Sequence, residues 1–371
     1  MINNSMKKYK NKKRKRLLFV KTFSITALVV SVVMLAGWFS LQSFDKPPSL
    51  PERTHKNKNK TVVNAAEPQL PAYETPDPDA DDLLIGDGLY APEGFTDADR
   101  KPLFYTFLIF GLDEGINTDT IMVASYDGVK KEANIIGIPR DGKVNVKRNL
   151  KKINAAYPAG RANGGGMDGG VDQLGREIKT VIGFVPDFYI CVNFKAFVKM
   201  IDAIGGVNVN VPYDMVYDDP VQSLHVNIKK GEDRLLTGEQ ALHFARYRKG
   251  NSGYRTVSDY ERIKNQQTII SATVNKLLQP VSILRIPEFI SIFNENVSTN
   301  LKATDLLWFA KQITDISGGD ALHSYTIPIA GSTGLPNYYE LFDAGEIIEL
   351  INQTINPFKK DIELKDIDIA S

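Results

Sequence analysis

Three near-continuous apolar runs constrain this chain most: "FYTFLIFGL" (104–112), "TIMVASYD" (120–127) and "ANIIGIPRD" (133–141). A strand with one face in water alternates apolar and polar residues, whereas these runs do not. They read as strands of a sheet covered by helices on both faces. The downstream segments agree. "GGVDQLGREIKTVIG" (169–183) carries helical spacing and ends at glycine, "DFYICVNF" (187–194) is a strand, and "KAFVKMIDAIGG" (195–206) is a helix closed by glycines. "VNVNVPY" (207–213) is a further strand. Thr237 is a good N-cap for a helix over 237–248, and Ser258 with Glu261 forms a capping box for one over 258–279. Further helices are predicted at 286–296, 303–314 and 345–356. Alternating strands and helices predict an α/β domain with helices on both faces of a mixed sheet.

The N-terminal region is of another kind. The first 21 residues hold nine Lys/Arg and no acid, so a formal total of +1 leaves −8 for the rest of the chain. An acidic body behind a basic tail is not the footprint of a nucleic-acid-binding domain. Residues 22–44, "TFSITALVVSVVMLAGWFSLQSF", carry no charge. A bilayer-spanning helix needs about 20 mostly apolar residues. The basic tail predicts a cytoplasmic N-terminus and a body outside the cell. A cleaved signal peptide is the alternative, but no A-x-A site follows. Residues 45–100, rich in Pro, Lys, Asn and Asp, read as a stalk. The single cysteine, Cys191, allows no intramolecular disulfide and reads as a small buried hydrophobe. An exported chain without disulfides suits a Gram-positive-type envelope.

Candidate chemistry gathers in a few places. Asp113 and Asp119 bracket a short loop between two predicted strands. Two nearby carboxylates repel unless a cation or proton joins them. Mg²⁺ takes one or two carboxylates, completing its shell with water and phosphate. The plain alternative is a solvated acidic turn. Arg140 ends a strand, where open α/β sheets form ligand crevices. Arg246 and Arg248 stand two apart, and Arg262 lies in the first turn of the capped helix with Asn265 and Gln266 on its face. Arginines beside such a metal suit a pyrophosphate, though each alone is more often a surface ion-pair residue. The Gly-rich stretch 152–170 reads as a loop running into a helix and lacks the P-loop order. His225 and His243 lie in no metal-ligand spacing, no G-x-S-x-G elbow is present, and Asp187 reads as a structural cap.

Eight ordered blocks resemble the LytR-CpsA-Psr family of envelope glycopolymer ligases: "FLIFGLD", "TDTIMVAS", "IGIPRDGKV", "KINAAY", "VPDFYICVNF", "IDAIGGVNVNVP", "LTGEQALHFARYR" and "SDYERIKNQQ". The resemblance implies a three-layer α-β-α sandwich enclosing an apolar tunnel for a polyprenyl chain. It implies a Mg²⁺- (or Mn²⁺-) dependent phosphotransferase. That enzyme moves an anionic glycopolymer (wall teichoic acid, capsule or secondary wall polysaccharide) from an undecaprenyl-pyrophosphate carrier onto peptidoglycan. On this resemblance Asp113 and Asp119 hold the metal, and Arg140, Arg246, Arg248, Arg262 and Gln266 bind the pyrophosphate. Asp113, Asp119 and Arg140 make up the catalytic set. The base stays open between the aspartates and Asp259. Two positions depart from the family pattern, Asn117 and Asn265, each where many members carry arginine, and Arg255 is a candidate to restore one charge. The segment between Arg248 and Arg262 is longer than usual. The expected organisation is a cytoplasmic tail (1–21), a membrane helix (22–44), a stalk (45–100), a catalytic domain (101–320) and a C-terminal closing segment (321–371). That is a single-pass type II protein of the cell membrane, with its catalytic domain outside. Competing expectations are hydrolysis of the lipid pyrophosphate, and a non-catalytic envelope regulator.

Overall fold

The computed structural model describes residues 46–51, 91–113, 117–219, 224–277, 279, 286–315, 321–334 and 337–370. The elements below all belong to the unit Ser49–Ser371. The expected membrane helix 22–44, the basic tail and most of the stalk lie outside the described residues. Among the described residues no helix is long and apolar enough to cross a membrane.

In chain order the strands β1 (Phe104–Leu112), β2 (Thr118–Asp127) and β3 (Glu132–Ile138) come first. Helices α1 (Ala156–Gly160) and α2 (Gly166–Ile182) follow, then β4 (Phe188–Asn193) and α3 (Phe194–Ala203). Next are β5 (Val207–Val211), β6 (Met215–Asp219), β7 (Leu224–Ile228) and β8 (Gly231–Leu236). Helices α4 (Gly238–Arg246), α5 (Asp259–Leu277) and α6 (Ile286–Asn296) lead to the short β9 (Ser298–Thr299). The chain ends with α7 (Ala303–Asp315), β10 (Leu322–Thr326), β11 (Ile329–Ser332), β12 (Glu340–Phe342) and α8 (Ala344–Thr354).

The main sheet has the order β10-β3-β2-β1-β4-β9. β1 runs antiparallel to β2 and parallel to β4, and β10 pairs parallel with β3, so the sheet is mixed. Its two faces explain the unbroken apolar runs. On one face Leu108, Phe110, Ile121, Val123 and Ile136 pack with Leu174, Ile178, Ile347 and Ile351. On the other, Tyr105, Tyr126 and Phe188 meet Trp308 and Phe309 of α7, and Met122 and Ile135 meet Ile270 of α5. Helices therefore cover both faces, and the domain is an α-β-α sandwich. The capping box that opens α5 forms as expected. Glu261 N donates to Ser258 Oγ at 3.2 Å, and Glu261 Oε2 accepts from Ser258 N at 3.0 Å.

The predicted strand at 207–213 does not join this sheet. β5 pairs antiparallel with β8, and β6 with β7. Both pairs cover a second core made with α3, α4 and α5, where Val207, Val209, Met215, Val226 and Phe244 are buried. The alternation in "VNVNV", with asparagines exposed and valines buried, marks a sheet wet on one face.

The predicted Gly-rich loop at 152–170 is mostly helical. α1 leads through a π-helical turn, Arg161–Gly165, into α2. The glycines permit a close approach between the two helices. A Cβ at Gly160 would lie 2.2 Å from the Gly169 carbonyl oxygen.

Asp187 is the structural anchor it was read to be. Its carboxylate is fully buried and accepts from Thr106 N (3.0 Å), Thr106 Oγ1 (2.8 Å) and Arg100 Nη2 (2.8 Å). It thereby clamps the incoming segment to the sheet. Cys191 is buried on β4 with its pKa pushed up to about 12 by desolvation, so its thiol stays protonated and inert.

Candidate active site

The site forms where β1 and β3 end and β2 begins. Three details of the local fold bring its side chains together. Asp119 sits at the start of β2 and Arg140 two residues past β3, on neighbouring strands. Arg262 and Gln266 lie one turn apart on α5, which crosses β3 in tight contact at Gly137. A Cβ there would stand 2.2 Å from Ile263 Cγ2. Finally, α4 ends at Arg246, and Tyr247 adopts extended backbone (φ −56°, ψ 123°), so the chain turns outward at "ARYR".

These elements enclose a cavity of about 530 Å³. Its walls are largely apolar: Ile109 and Met122 from the sheet, Phe197, Met200 and Ile201 from α3, Ile269, Ile270 and Val274 from α5, and Phe289 from α6. Its polar lining includes Asp119, Arg140, Arg246, Arg248, Arg262 and Gln266. Six of the seven predicted site residues thus face one space. Asp113 does not line it. Its carboxylate instead accepts from Asn117 N (2.8 Å) and Asn117 Nδ2 (3.1 Å), while Asp113 N donates to Asn117 O (3.0 Å).

Charge is densely coupled here. Arg140 Nη1 donates to Asp119 Oδ1 at 2.7 Å. Burial disfavours the Arg140 charge, but the field and hydrogen bond of Asp119, with Asp259 and Asp141 behind, outweigh it and raise its pKa. Arg262 shifts the other way. Burial dominates, the neighbouring Arg140 and Arg248 add to it, and its pair with Asp259 at 3.1 Å offsets only part. An arginine stays protonated in either case. The opposite shifts mark a tightly coupled charge cluster in which Arg140 is well matched by carboxylates and Arg262 is governed by burial. Arg246 lies with its guanidinium carbon 4.1 Å from the Phe194 ring centroid, a cation–π contact beside the cavity. Among the described residues two buried guanidinium nitrogens here make no hydrogen bond: Arg140 Nε and Arg262 Nε. Buried polar groups are normally satisfied, so this cluster is built to meet a polar ligand.

The two departures at asparagine have structural roles. Asn117 locks Asp113, and Asn265 Nδ2 donates to Phe244 O at 3.4 Å, tying α5 to α4 behind Arg246. Arg255 does not replace a missing site charge. It pairs with Glu261 and lies over Tyr213, away from the cavity lining. Neighbours that sequence reading passed over are Asp141, held by Lys152 at 2.7 Å, and Glu340 on β12. Asp141 stood inside the quoted "IPRDG". Glu340 had no signal, because only the fold brings β12 beside Arg140.

Among the described residues no group of three or more His, Cys, Asp or Glu forms a metal cage. Mg²⁺ does not need one when phosphate and water complete its shell. Asp119 has the chemistry for such a site, with one oxygen bound to Arg140. Asp113, a carboxylate held by Asn117, has the same oxygen chemistry but lies outside the cavity lining.

Fold and site together define an α-β-α protein with a largely apolar cavity lined in part by an arginine cluster. The chain belongs to the LytR_cpsA_psr family, whose model matches residues 94–356. It is 28% identical over 273 residues to the polyisoprenyl-teichoic acid–peptidoglycan teichoic acid transferase TagV of Bacillus subtilis, covering 70% of this chain and 65% of that protein. It is also 28% identical over 234 residues to the regulatory protein MsrR of Staphylococcus aureus, covering 61% of this chain and 65% of MsrR. The matches thus span just under two thirds of these relatives. The crystal structure of B. subtilis TagV superposes with a TM-score of 0.54 at 26% identity, over 67% of this chain and 94% of TagV.

Proposed function

We propose that this protein is a phosphotransferase that moves an anionic glycopolymer from an undecaprenyl-pyrophosphate carrier onto a peptidoglycan hydroxyl. The observation that carries the reading is the cavity, whose lining joins a largely apolar wall to four arginines. A polyprenyl pyrophosphate has that same division, an apolar chain joined to a compact polyanion. Membership of a family that includes a teichoic acid transferase supports the choice of reaction.

In such a transfer the acceptor oxygen bonds to the glycan-side phosphorus. The bond from that phosphorus to the bridging oxygen breaks, and polyprenyl phosphate leaves with the electron pair. Arg140, Arg246, Arg248 and Arg262 would grip the non-bridging oxygens and stabilise the charge that grows on them. Gln266, beside them on α5, adds a neutral donor. Mg²⁺, held by Asp119 with Asp113 adjacent, would supply further charge neutralisation at the phosphates. Arg140, paired with Asp119, joins the two halves of the site. The apolar walls hold the isoprenoid and keep water from the reacting phosphorus. Residues 22–44 would anchor the protein in the membrane that contains the donor, with the domain outside the cell, and tethering would raise the effective donor concentration.

The test uses the full-length protein in detergent with a synthetic polyprenyl-pyrophosphate glycan, Mg²⁺ and peptidoglycan fragments, read by mass spectrometry of the fragments. Glycan phosphate on muramic acid is the expected product. The double variant R246A/R248A should lose about 10²–10³ in rate, the scale of losing preorganised charge stabilisation. Release of polyprenyl phosphate without glycan attachment would instead identify a hydrolase. Donor binding without turnover would identify a regulator.

A further inference from the structure

The arginine cluster has a second side. Asp259 and Asp141 act on the charge of Arg140, and Glu340 on β12 feels Asp259, Asp141 and Arg262 in turn, yet none of the three lines the apolar cavity. Two of them are committed to cations. Asp259 pairs with Arg262 at 3.1 Å, and Asp141 pairs with Lys152 at 2.7 Å. The third, Glu340, has no ion pair among the described residues and receives only the Tyr338 hydroxyl, at 3.4 Å. Its place is fixed by its backbone. Glu340 N donates to Asp141 O at 3.0 Å, and Glu340 O accepts from Lys143 N at 2.9 Å. β12 is therefore laced to the residues directly after Arg140. Phe342, two positions on, is buried against Gly142, whose Cβ position lies 2.3 Å from its ring. The carboxyl itself is half-buried, and its neighbour Tyr338 is 38% exposed. Glu340 is thus a half-buried carboxylate on a strand bonded to the segment directly after Arg140.

Reaction geometry says what belongs there. In phosphoryl transfer the attacking and leaving oxygens lie roughly in line through phosphorus. The leaving oxygen carries the isoprenoid, which lies in the apolar cavity. The attacking hydroxyl must then arrive from the opposite, solvent side of the arginines. We infer that Glu340 is the catalytic base for the acceptor, taking the proton of the attacking hydroxyl as its oxygen bonds to phosphorus. This inference rests on the transfer reading above. The proton passes to the Glu340 carboxylate and then to water, while polyprenyl phosphate departs with the electrons of the broken bond.

The electrostatics agree. Burial, with Asp259 and Asp141 next, raises the affinity of Glu340 for a proton, and Arg262 and the Tyr338 hydroxyl oppose this only partly. The charged groups facing it are Asp259 and Arg262 from α5, and Asp141 with its partner Lys152 from the segment after β3. A base works best when its pKa approaches the working pH. Because the group must be ionised to accept a proton, activity should rise with pH through its folded pKa. The acid limb of the rate profile should therefore stand above the ordinary glutamate range.

The experiment compares full-length wild type with E340Q, E340D and D259N, measuring transfer against pH and donor binding separately. E340Q should lower kcat by about 10²–10⁴-fold, leave donor affinity unchanged and flatten the acid limb. E340D should restore part of the rate, and formate should partly rescue E340A. Full activity with an intact acid limb in E340Q overturns the inference, as does an acid limb abolished in D259N but kept in E340Q. Wild type that transfers no glycan phosphate sinks the transfer reading itself and this inference with it.

Discussion

At the scale of single residues, Asp187 shows how one buried charge organises a chain. It accepts three hydrogen bonds from Thr106 and Arg100 with its side chain fully buried. Removing one partner of a buried pair leaves the other uncompensated and costs about 3–5 kcal/mol. Asp187→Ala should therefore lower the urea midpoint steeply, while transfer per folded molecule stays near wild type. A midpoint shift within error would show that the clamp carries no stability. Residue by residue, the candidate site was partly legible. "IPRDG", "ARYR" and the capped helix announced arginines, because the positions of caps and strand ends can be read locally. Their convergence could not be read, because it depends on how α5 crosses β3. Glu340 lay beyond reach altogether, since its neighbours are some 80 to 200 residues away in sequence. Asp113 was read as a metal carboxylate with Asp119; its carboxylate accepts from Asn117, and Asp119 alone of the two lines the cavity.

At the scale of elements, a helix can be no better placed than the surface beneath it. α5 carries Arg262 and Gln266 to the cavity only because β3 offers a glycine where it crosses. In Gly137→Ala the new methyl group must displace Ile263 and press on Gln267 Nε2, 3.1 Å away. Overpacking of this kind costs about 1–3 kcal/mol, and here it also shifts the arginine-bearing face. The expected outcome is a lowered Tm together with a weakened donor affinity, measured by binding to lipid analogue in detergent. A lowered Tm with affinity unchanged would mean that α5 yields elsewhere. Elements whose burial is one-sided or two-sided throughout were legible as strands and helices from their period alone. Those missed were of two kinds. The strands β6 to β8 and β10 to β12 lack the clean alternation that β5 shows; the residues of β8 and β11, for example, are mostly exposed. The helical stretch α1 is masked by glycines that serve close packing rather than flexibility.

At the scale of the molecule, the region after residue 320 is as central as any other. β10 adds to β3, and Ile347, Ile351 and Ile355 are fully buried beneath the sheet. A chain ended at residue 320 would lose these side chains from the core, each worth about 2–5 kcal/mol by comparison with large-to-small core substitutions. Together, at about 6–15 kcal/mol, they match the usual net stability of a domain, about 5–15 kcal/mol. Such a truncation should show no cooperative thermal transition by circular dichroism. A sharp transition near that of the full chain would mean that the core closes without α8.

The two ends of this domain are also stitched to each other. Phe95 meets Phe358 edge-on at 5.0 Å, Lys101 N donates to Pro357 O at 2.9 Å, and Lys359 N donates to Asp99 O at 2.7 Å. The arginine cluster sits at the other end of β1. In mechanical terms the seam is a strain relief. If residues 22–44 anchor the chain as proposed, tension arriving along the incoming segment would meet residues 95–101 against 356–359 before it reached β1. The geometry in which the arginines are set would then be shielded from pull along the tether.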